Sequence, residues 1–95
     1  MAVDCLSTQA LESVAIMHEF ALAVDPFHGS IAYEFQKRSG KSTRCAGCII
    51  GPEATTLYTR SIKGHQTEDY EEVKTVPNAD MDVEIFSKFA SDSLG

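Results

Sequence analysis

The chain has 95 residues, a formal net charge of −6 and 43% apolar residues, with no tryptophan. That is enough chain for one domain with one modest core, and it is too apolar for wholesale disorder. An acidic total repels phosphates at long range, which disfavours non-specific binding to nucleic acid or to an anionic membrane surface.

The charge is unevenly placed. Residues 1–27 carry Asp4, Glu12, Glu19 and Asp25 with no Lys or Arg. Residues 28–65 carry Lys37, Arg38, Lys41, Arg44, Arg60 and Lys63 against Glu34 and Glu53, and the remainder is strongly acidic again. The base-free opening stretch predicts no signal peptide. The apolar run Val14–Val24 is broken by His18 and Glu19 and falls short of the ~20 residues a membrane span requires. Three cysteines, an odd number, do not make a disulfide framework, so a reducing, cytoplasmic setting is expected.

Residues 8–25 are expected to form the first helix. Leu11, Val14, Ala15, His18, Ala21 and Leu22 recur at the spacing of one helical face, Ser7 or Thr8 caps the start, and Pro26 ends it. Ile16, Met17, Phe20 and Val24 fall outside that stripe, so the helix is apolar nearly all round and must be covered on more than one side. A second copy of the chain is the expected cover, with Ile16, Met17, Phe20 and Val24 at the dimer interface. His18 sits in the apolar face, where a lone histidine is expected in the core or interface.

Next, Ile31, Tyr33 and Phe35 alternate with Ala32, Glu34 and Gln36, the period of a half-buried strand. Ser39-Gly40 is a turn, residues 42–50 return as a second strand, Gly51-Pro52-Glu53 turns again, and Thr55–Ile62 is a third strand rich in β-branched and aromatic residues. Residues 66–76 are open to two descriptions, a short capped helix or an edge strand, with the strand preferred. Residues 79–93 are expected as the second helix, capped by Asn78 or Asp80, with Ile85, Phe86, Phe89 and Ala90 on its apolar face. Strands joined by short turns are antiparallel. The expected fold is therefore α+β within one domain, 1–95: a two-layer sandwich of an N-terminal helix, an antiparallel three- to four-stranded meander and a C-terminal helix.

The stretch Cys45-Ala46-Gly47-Cys48 raises the question of metal or redox chemistry. In a regular strand, residues three apart point to opposite faces, so the two thiols share neither a zinc ion nor a disulfide. A bulge at Gly47 would bring them together, with His65 as a third metal ligand and His28 or Cys5 as a fourth. Redox activation of a CxxC calls for a helix N-terminus, and Ile49-Ile50-Gly51 does not start one. The segment Ser39–Thr43 matches only the end of a phosphate-binding loop. The first glycine of that motif would fall on Phe35, and a strand, not a helix, follows. A looser anion or ligand site remains at Lys37, Arg38, Lys41 and Arg44 on the hairpin tip.

No nucleophile, base and orienting group can be assigned together, and no cofactor is implied. The sequence thus points to a small non-catalytic protein-binding or regulatory domain that acts through protein–protein contact as a homodimer. The alternative is a small-ligand or anion-binding module using the basic hairpin, or a metal site at Cys45, Cys48 and His65.

Overall fold

Ser7, in extended conformation, accepts a hydrogen bond on its Oγ from the Ala10 N–H at 3.2 Å and so opens helix α1, Thr8–His18. In the computed structural model, which describes residues 6–27, 30–64, 66–67 and 70–95, this helix is shorter than the sequence predicts. It stops where Glu19 turns left-handed at φ 60° and the Phe20 N–H reaches back to the Ala15 carbonyl at 2.8 Å, a Schellman-type ending. The predicted continuation to residue 25 is corrected: Ala21–Phe27 is a strand, β1. Pro26 does not end a helix but lies within β1, opposite Ile31.

The predicted meander follows. Strands β2 (Ser30–Ser39), β3 (Ser42–Ile50) and β4 (Ala54–Lys63) pair antiparallel in sequence order, and β1 adds to the free side of β2. Gly40 supplies the positive φ, 62°, of the β2–β3 turn. Two short segments share the other side of β4: β5 (Gln66–Thr67) beside Ile62 and Lys63, and β6 (Glu71–Pro77) beside Ala54–Thr59. Within the ambiguous stretch 66–76, Gln66–Thr67 and the residues from Glu71 onward are thus strand, and residues 68–69 lie outside the described residues. The sheet is five positions wide, not three or four, because β1 comes from sequence read as helix.

Helix α2 covers Val83–Leu94, and Asp82 caps it by accepting the Ile85 N–H at 2.9 Å. Asn78, predicted as a cap, instead clasps two loops. Its Nδ2 donates to the Gly51 carbonyl at 2.8 Å, its Oδ1 accepts the Thr55 hydroxyl at 2.7 Å, and its backbone N–H donates to the Glu53 carbonyl at 2.9 Å.

Both helices bury one face of the sheet. Register alternation puts Leu22, Tyr33, Phe35, Ala46, Cys48 and Leu57 on that side, and Leu11, Val14, Phe86, Ala90 and Leu94 pack onto them. Phe35 lies at the centre, fully buried, stacked on Phe86 at 4.7 Å between ring centroids, with the tilted Phe20 ring at 5.5 Å. The result is α+β, as expected. Among the described residues no helix is long and apolar enough to cross a membrane.

Candidate functional site

The two cysteines of the CAGC stretch lie in regular pairing. Cys45 sits between Gln36 and Arg60, Cys48 between Tyr33 and Leu57, and no bulge intervenes. They face opposite sides of β3: Cys48 enters the helix-covered core and Cys45 the outer face. Both are free and buried. Burial pushes each thiol up to about 12, so each is protonated and unreactive at neutral pH. Thiols on opposite faces of one strand cannot ligate one ion. His65, His28 and Cys5, the other proposed ligands, lie outside the described residues, and no metal-binding cluster is found among the described ones.

Gly47 has a different reason to be glycine. It stands opposite Glu34 on one side and Tyr58 on the other, and the Tyr58 ring lies across it, where a Cβ would overlap the ring. Over this gap Tyr58 donates its hydroxyl to Glu34 Oε2 at 2.7 Å. Arg60 brackets the same carboxylate, Nε to Oε2 at 2.6 Å and Nη2 to Oε1 at 2.7 Å, and Gln36 Nε2 donates to Oε1 at 2.8 Å. The Glu34 residue is only 4% exposed. Burial alone would raise its carboxyl, but the hydrogen bonds from Arg60, Gln36 and Tyr58 outweigh that and hold it below the ordinary value. Burial and the bond to Glu34 push the Tyr58 hydroxyl up, and the Glu34 bond raises Arg60 as well.

This network was not singled out from sequence, since each member reads as a polar residue on a strand's solvent side. Its chemistry is quiet. A carboxylate has about four acceptor positions, and four donors fill them. Glu34 therefore has no lone pair to spare for a substrate proton or a metal. The network is a clamp that ties β2 to β4 across β3.

The basic hairpin is only partly assembled. Lys37 and Arg44 are direct cross-strand partners and share the helix side of the sheet, whereas Arg38 points to the outer face and Lys41 stands exposed in the turn. Arg44 borders a cleft of about 270 Å³ with Thr59, Ser61 and Asp92 at the C-terminal end of α2. That helix has no base in its own last turn, and Arg44 lines the same cleft as its Asp92, Ser93 and Leu94. Among the described residues none of the four cations has an ion pair, and Arg60–Glu34 is the salt bridge that forms.

The predicted interface residues divide. Ile16 and Met17 stand out on α1, 79% and 70% exposed. Phe20 does not join them: it packs half-buried on the core and stacks on His18 at 5.3 Å. Val24 lies on β1 and is 47% exposed. Met17, Val14 and His18 form one wall of a groove of about 470 Å³ between the helices, and Val83, Ser87 and Lys88 contribute to the other. Comparison with protein-family models, with curated proteins and with solved structures finds no match.

Proposed function

We propose that this chain is a non-catalytic protein-binding domain that works as a homodimer. One observation carries the proposal. Of the large apolar side chains exposed among the described residues, Ile16, Met17, Val24 and Ile31 belong to α1, β1 and the start of β2, while Tyr70 and Val73 lie by the opposite edge. Helix α1 contacts β1, so the elements that carry the first four are neighbours, with Met17 lining the groove toward α2. Exposed apolar groups gathered in this way are characteristic of contact surfaces. The saturated Glu34 and the protonated thiols support a role without catalysis. Two free buried cysteines support a reducing, cytoplasmic setting.

Sedimentation velocity from 1 to 100 µM tests the homodimer: a concentration-dependent dimer is expected, and a folded monomer throughout overturns it. A second proposal, anion binding at the hairpin, is favoured by the adjacent Lys37 and Arg44 and opposed by Asp92 in the neighbouring cleft. Titration with inorganic phosphate, followed by amide NMR, tests it. Saturable shifts at Lys37 and Arg44 that vanish in Lys37→Ser/Arg44→Ser support it, and no shifts overturn it.

A further inference from the structure

The two edges of the sheet are built differently. Strand β6 carries Glu71, Glu72 and Lys74, shifts register against β4 between Leu57 and Tyr58, and ends in Pro77. Charges, an irregular register and proline are the devices by which sheets refuse another strand. Strand β1 keeps a regular register with β2 throughout and carries one charge, Asp25, over residues 21–25, with Pro26 after it; among the described residues it pairs only with β2. One backbone side of β1 therefore offers N–H and C=O groups that pair with no strand among the described residues, flanked by the exposed Val24 side chain.

From this contrast we infer that β1 is the pairing edge of the homodimer: β1 of a second copy adds antiparallel to Ala21–Asp25, with the twofold axis near Ala23, to make one continuous sheet. The inference rests on the homodimer proposal above and names its surface. The segment is self-complementary. Centred on Ala23, the pairing sets Leu22 against the partner's Val24 on the helix side, so apolar meets apolar. On the outer side Asp25 meets the partner's Ala21, so no like charges face each other. Pro26, which has no N–H to donate, closes the ladder at that end. Helix α1 contacts β1, so a copy of α1 would lie near the seam on each side of it.

Two measurements on the full chain test the edge. Amide hydrogen exchange of the wild type is compared below and above the dimerisation concentration. Alternate amides within 21–25 should gain protection at least tenfold, and an unchanged β1 in a proven dimer overturns the inference. Ala23→Lys places two lysines face to face at the axis and should weaken dimerisation at least tenfold. Its near-ultraviolet circular dichroism reports whether the fold is kept. A folded Ala23→Lys that dimerises like the wild type also overturns the inference, and dissociation by Ile16→Glu/Met17→Glu in that case leaves the homodimer standing on another surface. A wild type that never dimerises overturns both.

Discussion

Glu34 shows how a buried carboxylate can be structural. With folded pKa below the ordinary value and unfolded pKa near 4.3, the unfolded chain binds the extra proton first as pH falls. Its contribution is therefore fully present above pH about 5 and is lost as acid titrates the folded carboxylate. Urea unfolding across pH 3–7 should show this acid loss, and Glu34→Gln should flatten it. An identical pH dependence in the variant would remove Glu34 from the account. Gly47→Ala should cost about 2–4 kcal/mol, because the Tyr58 ring must move off residue 47 and surrender its bond to Glu34. For the thiols the sign reverses. With folded values near 12, stability is whole below the ordinary thiol range and falls as pH rises through it. Thiol-directed reagents at pH 8 should accordingly modify Cys45 and Cys48 only at the rate of unfolding. Alternation in β3 was enough to foresee that these cysteines face apart. The clamp was not legible, because no pattern in sequence says that a strand glycine faces a tyrosine one strand away and a glutamate on the other side.

At the scale of elements, the boundary between α1 and β1 is the most informative departure. Leu22 continues the helical stripe of Leu11, Val14, Ala15 and His18, and alanines at 21 and 23 suit a helix, so period 3.6 fits the sequence to residue 25. Phe20, Leu22 and Val24 equally fit period 2, and they take it: Leu22 faces the core opposite Phe35. Tertiary pairing with β2 decides between two locally acceptable patterns. The turn itself had no glycine to announce it, since Glu19 occupies the left-handed position. Glu19→Gly should therefore raise stability by about 0.5–1 kcal/mol, by relieving the left-handed backbone and removing an anion from the negative end of α1. A lower melting temperature in that variant would mean that Glu19 makes a compensating contact. The hairpins β2–β3 and β3–β4 were legible throughout, because alternation, Ser39-Gly40 and Gly51-Pro52 all agree with the global pairing.

For the molecule as a whole, the sheet has one face closed by helices and an outer face held by an internal ion pair, and among the described residues Ile16 and Met17 on α1 and Val24 on β1 stay exposed, as do Tyr70 and Val73 by the opposite edge. The expectation of a helix apolar nearly all round overstated the exposed apolar surface, since Phe20 belongs to the core and only Ile16 and Met17 are left out on α1. This division makes the association testable apart from folding. Ile16 and Met17 give up little burial on substitution, so Ile16→Glu/Met17→Glu should keep its melting temperature to within about 0.5 kcal/mol of stability per site. It should also sediment as a monomer at concentrations where the wild type is dimeric, because two charges would enter an apolar contact. Phe20→Glu should behave differently. It places a carboxylate beside Phe35 in the centre of the packing and should cost at least about 3 kcal/mol, so that the chain unfolds instead of dissociating. Equal destabilisation by the two changes would show that Ile16 and Met17 are part of the folded core, and the apolar surface on α1 would no longer be available to explain a dimer.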